Sequence, residues 1–400
     1  MDKIKITTYY LGALLCLMTG LLLTACSSDS ASDNRVSNRI VRLSAGSHQF
    51  LQDDNLSSAP GITRGVLYPD QNNENDETAW EKFAPTDQPN MLLFVAKGKD
   101  NPASSDVMSR LFAFSATNID WQANITIVDT DVPYYIYGFM PIDAQNTSDR
   151  VNIGLLPSAS NYNAGAQLSI NGLKVLTDKD PCVIVGVAKP NEENSTLQWG
   201  KFQWGNFEFQ FKPNGETVTD YMGILLDHIY SQYHFKMKID ADYAQLRTIK
   251  ITKMTLEALD IYGNTVSSVD ATVTLNKTTG GNPLSTPTFK YNRGTRKYPL
   301  YDNSDGQELS ADTDVSFGFC LAPCSQRWFR LTTNYDVLDT KGTVIRQDKA
   351  ENNFDVSALT GNDITNTNPG LIHTIKMTVN PTYLYMLSDP DLDNPTFTIN

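Results

Sequence analysis

Few residues in this sequence stand at the spacings that chemistry requires. Asp389, Asp391, Asp393 and Asn394 repeat as calcium-loop ligands do, but the sixth place holds Asn394 instead of Gly and the twelfth holds Asn400 instead of Glu. A solvated hinge is the better reading. His228 and His234 lie six apart with no Cys nearby, a poor start for a metal site. The other histidines are His48 and His373, and no Ser sits in a Gly-x-Ser-x-Gly elbow. No Gly-rich phosphate loop or dinucleotide fingerprint follows a strand. Paired carboxylates for glycoside cleavage would be a product of folding, and no pair stands out. The expectation is a protein that is not an enzyme and uses neither cofactor nor metal. Trp199 and Trp204, with Phe202 between them, could line a sugar-binding face. Alternation sets Trp199 opposite the other two, and aromatics in strands more often pack than bind.

The residue with the clearest chemical assignment is Cys26. Lys3 and Lys5 precede a mostly apolar run from Tyr9 to Leu23, the layout of an export signal. The run is shorter than the roughly 20 residues that span a bilayer, and no basic cluster follows it. Leu23-Thr24-Ala25-Cys26 resembles a bacterial lipobox, in which the signal is cut before the Cys and that Cys carries the lipid. Each buried acyl CH₂ contributes about 0.8 kcal/mol, so two or three chains anchor a protein stably without a spanning helix. The implied partners are the lipoprotein export machinery and an outer membrane reached through the lipid.

The elements that follow must fill cores in a chain of 400 residues, long enough for two domains of ordinary size. The net charge is −13, and the signal contributes +1 through Asp2, Lys3 and Lys5, leaving −14 for the rest. So acidic a surface, without a basic stripe, excludes a nucleic-acid partner. Beyond Cys16 and Cys26, the cysteines are Cys182, Cys320 and Cys324, an odd set that cannot form a complete disulfide framework and reads as buried thiols.

Residues 27–34 are small and polar, a tether. Arg39-Ile40-Val41-Arg42-Leu43 then reads as a short strand with Val41 and Leu43 on one face and Arg42 on the other. Segment 26–64 is neutral, so the whole negative charge lies beyond it and marks a boundary. From residue 65 the texture is almost entirely β, with runs at 91–96, 111–115, 125–128, 134–140 and 168–170. Cys182–Val187 reads as a strand buried on both faces, and Phe207–Phe211 alternates. Met222, Leu225, Leu226 and Ile229 recur at helical spacing after a possible cap at Thr219, which predicts a short helix. Strands follow at 234–239, 315–321, 329–337, 344–345 and 375–379. Ile249 and Ile251 fall on the opposite parity from Met254 and Leu256, which calls for a bulge between Ile251 and Met254. After the polar loop 388–395, Thr396-Phe397-Thr398-Ile399-Asn400 alternates as one more strand, able to pair with another molecule.

At this point the chain resembles the fimbrillin family, the lipoprotein pilus subunits of Bacteroidales. The resemblance rests on the lipobox at Cys26, the Thr63-Arg64 site, and the segment Leu226-Asp227-His228-Ile229-Tyr230-Ser231-Gln232-Tyr233-His234-Phe235. Tyr134–Pro141 and Ile375–Pro381 look alike as well. It implies two antiparallel, transthyretin-like β-sandwiches in tandem: a signal at 1–25, a lipidated propeptide at 26–64, sandwiches at 65–215 and 216–400, and a junction within 190–220. It also implies cleavage by an arginine-specific protease, removal of a leading strand around Ile40, Val41 and Leu43, and refilling of the groove by another subunit's terminal strand. Here 396–400 would be that donor. Arg64, beside Gly65 in a loop, suits the cut, whereas cutting at Arg35, Arg39 or Arg42 would leave or split the strand. The expected function is a structural subunit of a cell-surface fimbrium, polymerised with other fimbrial subunits and able to serve in adhesion. The competing expectation is a monomeric surface lipoprotein that binds glycans.

Overall fold

Strands, some with one covered face and some with two, make up most of the described residues. The computed structural model describes residues 37–48, 51–52, 80–82, 89–117, 120–144, 146–188, 203–213, 218–278, 282–323, 328–355, 369–382 and 391–399. All sheets described below lie in one unit, Ser37–Asn400. The leading part supplies β1 (Ser37–His48), β2 (Leu51–Gln52) and β3 (Trp80–Lys82). A meander follows: β4 (Asn90–Lys97), β5 (Val107–Ser115), β6 (Asp120–Ile127) and β7 (Tyr134–Ile142). Next come β8 (Val151–Leu155), β9 (Gly165–Lys174), β10 (Leu176–Thr177), β11 (Cys182–Ala188), β12 (Gln203–Trp204), β13 (Glu208–Phe209) and β14 (Thr219–His228). The remainder holds β15 (Ser231–Ile239), β16 (Thr248–Leu259), β17 (Thr265–Asn276), β18 (Thr288–Arg293), β19 (Tyr298–Glu308) and β20 (Val315–Leu321). It closes with β21 (Trp328–Leu338), β22 (Val344–Asp355), β23 (Leu371–Thr382) and β24 (Asp391–Ile399).

Seven strands close a ring. β4 pairs with β5 and β7, β5 with β6, β6 with β1, β1 with β14, β14 with β11, and β11 returns to β7. Closure removes the unpaired edges that an open sheet would expose. The interior is filled by alternate residues such as Val41, Leu43, Leu93, Phe112, Trp121 and Ile224, and the Trp121 indole donates to the Pro89 carbonyl at 2.9 Å. The opposite faces of β4 and β7, bearing Leu92, Phe94, Tyr137 and Phe139, enter a second core together with Leu168, Phe235, Met254 and Phe319. Double-faced burial explains why these strands read as unbroken apolar runs.

That second core lies within two further sheets. One has the order β10-β20-β15-β23, with β2 and β24 both on β23; the other runs β22-β21-β16-β17-β9-β8, with β18 on β17 and β19 on β16. Sheet pairing crosses the 215/216 position in both directions. β14 belongs to the ring, and β8, β9 and β10 pair within the sheets that hold β16 to β24.

The helix expected from Thr219 to Ile229 is instead the strand β14, buried from Asp220 to His228 except at Tyr221. Met222, Ile224 and Leu226 face the barrel while Leu225 enters the second core, so two covered faces together mimic helical spacing. The bulge anticipated after Ile251 is present as a register shift between Ile251 and Lys253. Phe207, Phe209 and Phe211 are all buried as alternation requires, although only Glu208–Phe209 pairs as a strand. The final strand begins at Asp391, inside the stretch expected to be a polar loop.

Candidate functional site

β1 occupies the seam of the barrel. Its backbone pairs in parallel with β14, from Ile40↔Thr219 to Ser47↔Leu226, and antiparallel with β6, from Ser37↔Ile127 to Leu43↔Trp121. β3 continues that second edge at Gly46–His48. Parallel pairing is slightly weaker per residue than antiparallel, and no hairpin holds the two partners together. Arg39, Val41, Leu43 and Ala45 are 1% exposed or less, whereas Ile40 on the opposite face is 41% exposed. Of the residues expected on the removable strand, Val41 and Leu43 fill the barrel and Ile40 does not.

Arg39 is the residue that sequence reasoning missed. It shares the parity of Val41 and Leu43, and its guanidinium is fully buried. Nη1 donates to Asp220 Oδ2 at 2.8 Å and to the Lys212 carbonyl at 2.9 Å, and the group stacks over the Phe211 ring at 5.5 Å. The Lys212 amide donates to the other Asp220 oxygen at 3.1 Å. On the outer face Arg42 pairs with Asp120 at 2.5 Å and lies over the Tyr221 ring. The strand therefore carries one cation into the barrel and one across its outside, toward carboxylates on both flanking strands. The available signal was the parity of Arg39 with the apolar residues that follow it.

β2 and β24 converge on β23. Leu51 and Gln52 run parallel to Leu371 and Ile372, and β24 runs antiparallel from Met377↔Ile399 to Thr382↔Asp391. β15 already lines Ile372–Val379 on one side, so β2 and β24 share the other. Among the described residues β24 pairs with no strand but β23. The backbone of the expected donor residues Thr396, Phe397, Thr398 and Ile399 is thus in register with Asn380, Val379, Thr378 and Met377 of the same chain. Cys26, Arg64 and Asn400 lie outside the described residues, as do Trp199, Phe202, Cys324 and Asp389. Of Trp204 the description covers the backbone, which pairs with Gly186.

A third grouping sits at the far end of β14. Cys182 and His228 are cross-strand neighbours, and Asp180 lies two residues before Cys182. His228 Nδ1 is 2.5 Å from Asp180 Oδ2, and the Cys182 thiol donates to the same oxygen at 3.1 Å. Burial, reinforced by Asp180, pushes the Cys182 thiol well up, and burial with Asp180 and Asp178 does the same to Cys320. Both are free, buried thiols. Nitrogen and oxygen ligands of a tetrahedral zinc stand about 3.3 Å apart, so the imidazole–carboxylate contact has the geometry of a hydrogen bond instead. The trio can pin the barrel end; a protonated thiol is a poor nucleophile.

No protein-family model and no curated protein matches this sequence. Solved structures do match along most of its length. One is a candidate cell adhesion protein from Bacteroides fragilis NCTC 9343, 11% identical, with a TM-score of 0.42 over 91% of this chain and 97% of that one. The fimbrial anchor protein Mfa2 from Porphyromonas gingivalis is 11% identical, with a TM-score of 0.28 over 90% and 95%. A fimbrial protein from Bacteroides vulgatus ATCC 8482 is 11% identical, with a TM-score of 0.31 over 89% and 98%.

Proposed function

We propose that this chain is a structural subunit of a cell-surface fimbrium, exported as a lipoprotein through Cys26 and polymerised by strand exchange. The observation that supports the reading is the position of β1. It is a stave of the barrel, yet it joins the rest of the chain through the segment that carries Arg64 and Gly65. Cleavage at Arg64 by an arginine-specific protease would turn residues 26–64 into a separate piece held by pairing alone. Its departure would uncover backbone N–H and C=O groups on β14 and β6 beside the apolar places of Val41 and Leu43. Each of those side chains contributes about 1.5–3 kcal/mol when buried, so the gap favours refilling. A strand from another subunit supplies the missing hydrogen bonds and side chains. The proposed donor is β24, which among the described residues pairs with β23 alone and so on one side only.

The experiment treats the purified full chain with an arginine-specific protease and follows its size in denaturant. The reading expects loss of residues 26–64 and then, once other fimbrial subunits are added, ladders resistant to denaturant, with Arg64→Ala preventing both. A chain that loses the segment and stays monomeric in the presence of other fimbrial subunits would overturn it.

A further inference from the structure

We infer that the barrel seam accepts a strand carrying a cation and rejects the terminal strand of an identical copy, so that the donor comes from a different subunit. This rests on the strand-exchange reading above. Once β1 leaves, Asp220, 1% exposed, loses the guanidinium that neutralises it inside the barrel, and Asp120, 5% exposed, loses Arg42 on the outer face. A charge left without its partner in a low-dielectric interior is disfavoured far more than a lost surface pair. Lys212 cannot take over from where it stands, because it touches Asp220 through its backbone amide and its side chain is exposed. The incoming strand must itself bring the cation.

This chain's own terminal strand has none to bring. No Lys, Arg or His follows Lys376, and Asp391 and Asp393 make the last strand acidic. Laid along the seam with Phe397 and Ile399 in the places of Val41 and Leu43, it sets Pro395 against Asp220. Shifted by one pair it sets Asp393 there, carboxylate facing carboxylate. Neither register offers charge complementarity. The seam fits a strand of another protein with a basic residue two places before an alternating apolar pair, and a second basic residue on the opposite face three places after the first, the pattern of Arg39 and Arg42. Like-charge exclusion of the wrong partner is a recognised route to specificity.

The test nicks the full chain at Arg64, leaving β1 seated, and measures its displacement by excess synthetic strands. Three are compared: residues 37–48 as they stand, the same peptide with Arg39→Met, and residues 391–400. The expected result is exchange by the first, at least tenfold weaker exchange by the second, and none by the third. Equal exchange by the first two, or efficient exchange by the third, would overturn the inference while leaving strand exchange intact. If none displaces β1, the underlying reading fails. Because the variation in this comparison is in the peptide, it needs no protein variant to fold. As a second measurement, Asp220→Leu in the nicked chain should erase the preference for Arg over Met; a preserved preference would count against Asp220 as its source.

Discussion

Arg39 and Asp220 together set the character of the seam. Their pair is enclosed by Phe211 and the Lys212 backbone, so the loss of one partner leaves the other charge stranded. Arg39→Met should therefore cost about 3–5 kcal/mol in unfolding free energy, and adding Asp220→Leu should recover most of it. Chemical denaturation of both variants checks this; a loss below about 1 kcal/mol in the single variant would mean the pair is open to water. A different carboxylate governs an exposed turn. Desolvation acts against Asp260, but amides of Asn264 and Tyr262 and the Arg293 guanidinium outweigh it and bring its carboxyl from 3.8 down to about 2. A carboxyl lowered in the folded state stabilises above its ordinary pKa and loses that contribution as pH falls toward the folded value. The protection of amides in 260–264, taken relative to the intrinsic exchange rate at each pH, should thus fall between pH 4 and pH 2, and Asp260→Ala should abolish that pH step.

At the scale of elements, most strands were legible because one covered face gives period-two alternation, as in β15, where Ser231, Tyr233, Phe235, Met237 and Ile239 are buried in turn. Two features were not. β14 is covered on both faces, and its apolar residues lose the period that would mark it as a strand. The β1–β14 seam joins residues 181 apart, as Arg39 and Asp220 show, and a parallel pairing at that distance leaves no turn signature in the sequence. The candidate site was therefore half visible: Val41 and Leu43 could be named as a buried face, but not the strand that receives Arg39. Packing within the ring is tight enough to be tested. Leu43→Ala should open a cavity and cost about 2–5 kcal/mol. On β7, a Cβ at Gly138 would lie 2.7 Å from the Leu92 carbonyl oxygen and 2.8 Å from Ile184, so Gly138→Val should lower the thermal midpoint. An unchanged midpoint would mean that β4 and β7 can separate there.

For the whole molecule, β2 and β24 share one side of β23 while β1 closes the barrel. A single cut at Arg64 would release both β1 and β2, freeing places in two sheets at once. Deleting Pro395–Asn400 should then leave the barrel folded, since β24 is absent from the ring, and abolish donation to other subunits. Circular dichroism with an assembly assay separates these outcomes; intact assembly would remove 396–400 as the donor. The measurement that bears most directly on the central claim is the N-terminal residue of the protein recovered from assembled fimbriae. The account predicts Gly65, with the leading strand gone. A lipidated Cys26 in the assembled fraction, with β1 still attached to its own barrel, would contradict it.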